Sequence, residues 1–137
     1  MPVLAATHEV DAPHDPTSGQ PSGKRMHKPF TVTKEVDRSS PLLYSELVTS
    51  ETLTDIVITF WSASTVANKG AGAETPFYTV KLTNARIDRI ASTMPNVKDT
   101  ASANRPPYEN VSFIYEKIEW DIKEGGGVSA LDSWRAQ

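Results

Sequence analysis

The sequence predicts a mainly β domain with one helix laid against it, on three observations. Several segments alternate apolar and polar residues with a period of two, a single segment switches to three- and four-residue spacing, and prolines and glycines gather between them. With 137 residues, the chain is expected to form one domain spanning residues 1–137.

In chain order, Asp11 to His27 carry Pro13, Pro16 and Pro21 together with Gly19 and Gly23, the composition of an extended loop. Pro29 to Val36 set Phe30, Val32 and Thr33 among alternating polar residues, as a half-buried strand does. Ser39-Ser40-Pro41 then offers an N-cap hydroxyl followed by proline at the first helical position, where its missing N–H costs nothing. Leu43, Tyr44, Leu47 and Val48 continue as one apolar stripe that ends near Ser50, and this is the only substantial helix expected. From Thr52 to Trp61 the period returns to two, with Ile56, Ile58 and Phe60 on one face and Val57, Thr59 and Trp61 on the other. Phe77–Leu82, Ala85–Ile90 and Asn110–Ile122 read in the same way; in the last, Val111, Phe113 and Tyr115 oppose Ile114, Ile118 and Trp120. Ser62–Pro76 and Ala91–Pro107 are long loops. Strands with two apolar faces need two things to bury against, an interior and either the helix or a neighbouring subunit, so the pattern points to oligomerisation.

Composition removes several function classes. The formal charge of -3 and the scattered Lys and Arg offer no footprint for phosphate backbones, so no nucleic-acid partner is expected. The apolar run at Ile56–Trp61 is broken by Thr59, far short of the roughly 20 residues a membrane helix needs, and no membrane insertion is expected. The opening MPVLAATHEV has no basic stretch ahead of an apolar core, so secretion, if it occurs, is expected without a signal peptide. The absence of cysteine excludes disulfides and thiol chemistry.

Candidate chemistry is sparse. His8, Asp11 and His14 have residue types that ligate zinc, but Pro13 and Pro16 favour extended chain, where alternate side chains diverge, and they read as solvated loop residues. Glu119 and Asp121 share a strand face while Glu116 points the other way, which is charge alternation on a solvated edge and no acid–base pair. No serine sits in a nucleophile elbow. Gly70, Gly72 and Gly125-Gly126-Gly127 lack the lysine or the following helix of a phosphate cradle and read as turn glycines. Lys24-Arg25-Met26-His27-Lys28 is a short basic cluster without interleaved aromatics, suited to contacting an acidic patch on another copy. No metal, cofactor or catalytic residue is expected, and the protein is not expected to be an enzyme.

The same segments resemble the haemolysin-coregulated protein (Hcp) family of bacterial type VI secretion. GKRMHKPFTVTKEVDRSSPLLYSEL, Gly23 to Leu47, looks like the segment in which a strand with a Pro-hydrophobic-Thr-Lys motif runs into Asp-x-x-Ser-Pro-Leu and the family's helix, here Lys34, Asp37, Ser40 and Pro41. YTVKLTNARI, Tyr78 to Ile87, resembles the family's central strand pair, and VSFIYEKIEWDI, Val111 to Ile122, its final long strand with Lys117 and Trp120. The tail GGGVSALDSW is similar to one branch of the family.

The resemblance implies a phage tail-tube-like β-barrel of two packed sheets with one flanking α-helix. It implies a structural subunit forming homohexameric rings that stack into a hollow tube, which a contractile sheath expels. Sheath, spike and effector proteins would be its partners, in the bacterial cytoplasm before firing and outside the cell afterwards. The alternative the family offers is a secreted carrier or chaperone that binds effectors in the ring lumen. Asp11, His14, Asp15, Lys24 and Arg25 fall in the loop that resembles the ring-stacking loop. Family members usually carry one or two more strands ahead of the position of Val3, so the chain is expected to be N-terminally short. A barrel without its first strand exposes an unpaired edge.

Overall fold

The computed structural model describes residues 1–63, 74–101, 104–123 and 127–133. Its strands and single helix follow in the order β1 (Ala5–Thr7), β2 (Val10–Asp11), β3 (Met26–His27), β4 (Phe30–Glu35), α1 (Ser40–Thr49), β5 (Leu53–Ala63), β6 (Glu74–Thr93), β7 (Tyr108–Ile114), β8 (Lys117–Ile122) and β9 (Val128–Ser133). Two compact units share the chain, one of residues 1–52 and 86–114, the other of residues 53–85 and 115–137.

In the first unit, β1 pairs with β4, β4 with β7, and β7 with the second half of β6, all antiparallel. The β4–β7 register sets Phe30 opposite Phe113, Val32 opposite Val111 and Lys34 opposite Glu109, and all six side chains are buried. Side chains alternate across a strand, so the residues between them face the other way. There Thr31 and Ser112 share a hydrogen bond of 2.9 Å, and Thr33 donates to Asn110 at 2.6 Å. Cross-strand pairs of this kind stabilise a ladder.

Helix α1 begins one residue earlier than the Ser40-Pro41 pattern predicts: Ser39 is the N-cap and makes no side-chain capping bond. The hydroxyl expected to cap, that of Ser40, is instead buried and directed at the strands. The chain leaves the helix at Ser50, whose φ of 53° lets the N–H groups of Ser50 and Glu51 close on Leu47 and Glu46. Of the expected apolar stripe, Leu43 is buried and Leu47 half-buried, whereas Tyr44 and Val48 are exposed.

The expected loop from Asp11 to His27 is more ordered than its prolines suggest. Strands β2 and β3 pair as the stem of a narrow arm, a bridge joins His14 to Pro21, and the tip turns through Gly19 at φ 74°. Prolines at a two-stranded edge cost no ladder bond when the missing N–H faces solvent.

In the second unit, β5 pairs with the first half of β6, β6 with β8 and β8 with β9. Ile58, Val80, Leu82, Ala85, Tyr115 and Ile118 form its buried set. Two separations expected from the sequence change here. Phe77–Leu82 and Ala85–Ile90 are one strand, β6, in which Asn84 sits in the left-handed region at φ 50°, a conformation asparagine tolerates better than most residues. Conversely, Asn110–Ile122 is two strands, because the pairing breaks at Tyr115-Glu116, where the Glu116 N–H bonds the Thr83 carbonyl. The last strand among the described residues is β9. The Ser62–Pro76 loop is shortened by β5 and β6, Ala91–Pro107 loses its first residues to β6, and residues 64–73, with Gly70 and Gly72, lie outside the described residues, as do Gly125 and Gly126. Gly127 turns at φ 76° as a turn glycine does.

Trp120 is only half-buried, while Ile118 on the same strand is fully buried. Replacing Ile118 with Ala is expected to cost about 2–5 kcal/mol by denaturant unfolding, and Trp120→Ala less than the roughly 3–5 kcal/mol of a fully enclosed ring. Pro41→Ala, at an exposed position in the first helical turn, is expected to change stability little.

Candidate assembly surface

One polar network positions the first unit. The Lys34 side chain is 0% and that of Glu109 1% exposed, and Lys34 Nζ lies 2.6 Å from Glu109 Oε1. The ammonium also donates to Ser40 Oγ at 3.2 Å and to the Glu35 carbonyl at 2.8 Å, and it lies 3.0 Å from Asp37 Oδ1. Ser40 donates to the same Glu109 oxygen at 2.7 Å and accepts the Asp37 N–H at 3.1 Å. The strand pair, the strand-to-helix turn and the first residue of α1 thus meet at one charged centre.

Burial works against the Lys34 charge, but hydrogen bonds to Glu109 and Asp37 outweigh it and hold the ammonium above its ordinary range. Asp37 is pulled down to about 2 by hydrogen bonds from the Ser39 side chain, from Lys34 and from the Ser39 N–H. Lys34, Asp37 and Ser40, picked out as motif residues, are therefore brought together; Pro41 is exposed beside them and starts the helix. Lys117 lies elsewhere, on β8, 3.1 Å from Glu119. Glu109 was missed. Its signal was parity, since it lies two and four positions before Val111 and Phe113, on the apolar face of β7.

The arm residues occupy distinct places. Asp11 pairs with Lys28 at 3.3 Å, and Lys28 also meets Glu9 at 3.2 Å, so the stem is clamped across its two limbs. Asp15 organises the tip: its carboxylate accepts the Thr17 N–H at 2.9 Å and its carbonyl the Gly19 N–H at 2.8 Å. The Thr17 and Ser18 bonds hold the Asp15 carboxyl below its usual range. His14 and Lys24 are exposed, and Arg25 is half-buried. His8, Asp11 and His14 form no metal cluster, and no group of three or more metal-ligating side chains gathers among the described residues.

The second unit carries a different kind of surface. Along β5, Ile58 is buried, while Val57 and Trp61 on the opposite face are each 57% exposed. The same face of the sheet brings Lys81 beside Asp55 at 3.8 Å and the Lys117–Glu119 pair beside Leu131, which is 62% exposed. An open hollow there is lined by Glu119, Asp121, Ser129, Ala130 and Leu131. Nothing in it resembles a reaction centre. Among the described residues, β1, β5 and β9 each pair with a single strand, and β5 leaves an apolar face open.

Comparison with known proteins agrees. The family model for the type VI secretion system effector Hcp matches residues 1–122, and the chain belongs to the Hcp family. The "Major exported protein" of Pseudomonas aeruginosa PAO1 is 41% identical over 134 residues, covering 98% of this chain and 74% of that protein. A crystal structure of an Hcp protein superposes with a TM-score of 0.85 at 34% identity, covering 97% of this chain and 76% of that one. The secreted protein Hcp3 of P. aeruginosa gives 0.73 at 33%, covering 97% and 73%. The expected fold class, mainly β with one flanking helix, is borne out by the described residues and by the superposition on an Hcp protein.

Removing one partner of the buried pair leaves the other charge uncompensated, so Lys34→Met and Glu109→Leu are each expected to cost about 3–5 kcal/mol, and the double variant much less than their sum. A double-mutant cycle in urea reads this. Asp37 binds its proton more weakly folded than unfolded, so its contribution is present above the unfolded value of 3.8 and is lost as pH falls toward 2. Asp37→Asn should flatten the decline of the unfolding midpoint across that acid window.

Proposed function

We propose that this chain is a structural subunit of the type VI secretion inner tube, in which six copies close into a ring and rings stack into a hollow tube that a contractile sheath expels. The observation that carries the reading, beyond family membership, is β5, a strand with two apolar faces of which one is covered within the chain and the other, at Val57 and Trp61, is open. A neighbouring copy is the simplest cover, since open apolar faces and unpaired edges associate in water.

On this reading residues 1–137 act as one tube domain. The arm, with Asp11, His14, Asp15, Lys24 and Arg25, reaches the next ring, its clamped stem giving reach and its charged limbs giving specificity more than affinity. The relative from P. aeruginosa is named as exported, and we place this chain on the same route: held in the bacterial cytoplasm until firing, then expelled with the tube, with sheath, spike and effector proteins as partners. No reaction is assigned to it.

Light scattering after size exclusion, with negative-stain imaging of the same peak, tests the reading. Six-membered rings are expected. Val57→Glu with Trp61→Glu is expected to release folded monomers with an unchanged circular dichroism spectrum, and Lys24→Glu to leave rings intact but reduce stacking. A wild-type protein that stays monomeric at every concentration would remove the tube assignment for this chain.

A further inference from the structure

Two histidines sit where the arm joins the first unit. His27, on β3, is 7% exposed and pairs with Val10 across the stem. His8, half-buried between β1 and β2, stacks on Phe30 of β4 with ring centroids 5.2 Å apart and an interplanar angle of 28°. The charged groups around them are Glu9 and Asp11 on the first limb, Lys28 on the second, and half-buried Arg25 two positions before His27. Lys28 holds both carboxylates, at 3.2 and 3.3 Å. Phe30 and its cross-strand partner Phe113 bring no charge.

We propose that His8, seated on Phe30, makes the root of the arm an acid-sensitive hinge, closed near neutral pH and loosened as its imidazole gains a proton.

As a neutral ring, His8 behaves as one more aromatic surface against Phe30. Protonated, it is a cation in a half-buried seat against an uncharged ring. Burial, and then His27, push the His8 pKa below 6.5 in the closed root. An opened root returns the group to water and to its ordinary value. The open form therefore binds more protons, and stability of the closed root is lost as pH falls from 6.5 through the closed-state value. If the arm bridges rings, as proposed above, acidification weakens stacking while leaving each ring whole. That consequence rests on the tube reading; the hinge does not.

Amide hydrogen exchange at about pH 7.5 and pH 5.5, corrected for intrinsic rates, reads the hinge directly. The reporters are the Lys28 N–H, bonded to the Glu9 carbonyl at 3.0 Å, and the Ser22 N–H, bonded to the Pro13 carbonyl at 3.0 Å, with Val111 in the buried ladder as reference. Protection at the reporters is expected to fall at least about twofold relative to Val111 in acid, a unit of pKa difference being worth tenfold. His8→Phe keeps a ring on Phe30 without the titration and should abolish the fall; His27→Gln, which removes the neighbouring group that helps to lower the His8 pKa, should reduce it. No fall in the wild type, or an equal fall in both variants, overturns the hinge. Sedimentation of assembled protein over the same range separates the two ideas: loosened roots with unchanged stacks support the hinge and remove the arm from ring contact.

Discussion

A buried lysine is among the costliest side chains to place, and the first unit is arranged around one. An ammonium held away from water is tolerated only with a counter-charge and enough acceptors. Lys34 has Glu109 opposite it in the ladder, Ser40 and the Glu35 carbonyl within hydrogen-bonding distance, and Asp37 at the rim. Register follows from this. A slip of one residue between β4 and β7 would carry Phe30, Val32 and Lys34 to the opposite face and strand Glu109 without its cation. The centre also explains the position of α1, because the Ser40 hydroxyl that could have capped the helix is committed to Glu109. Helix start and strand register are thus one constraint.

The second unit has no such charged centre among its described buried residues and relies on packing of aliphatic side chains and Tyr115. Asn84 marks the place where β6 changes partner from β8 to β7. There β6 adopts one left-handed residue, the Asn84 amide donates to Glu116 Oε2 at 3.1 Å, and the strand opposite ends at the same level.

Periodicity made most of the elements legible, because a period of two and a period of 3.6 are set by backbone geometry and survive without tertiary context. Strand β4, helix α1 and strand β5 were read within a residue or two for that reason. Boundaries that depend on a single torsion were not: Asn84 joins what looked like two strands, and Tyr115-Glu116 divides what looked like one. The motif Lys34-x-x-Asp37-x-x-Ser40 was visible, but its purpose was hidden, because the residue that gives it meaning, Glu109, lies 75 positions away from Lys34. The arm was read as loop because prolines signal irregular chain, and two short strands with a bridge between them leave almost no periodic trace.

The exposed apolar residues tell against reading this chain as a finished surface. Isolated apolar side chains on a protein exterior are ordinary and need no explanation. Here they follow the pleat: Val57 and Trp61 share one face of β5 and Leu131 lies on the same side of the sheet, while the charges between them pair locally as Lys81 with Asp55 and Lys117 with Glu119. Locally paired charges add little net field, so they neither repel a like copy strongly nor recruit a distant partner. A surface of that composition is suited to contact by a second protein face that matches its shape, with specificity carried elsewhere. The arm is the element that can carry it, since its acidic first limb and basic second limb are unequal, and its position is fixed at a root that both stacks on β4 and pairs across its own stem. On the proposed tube reading, adhesion falls to the open strand face and addressing to the arm.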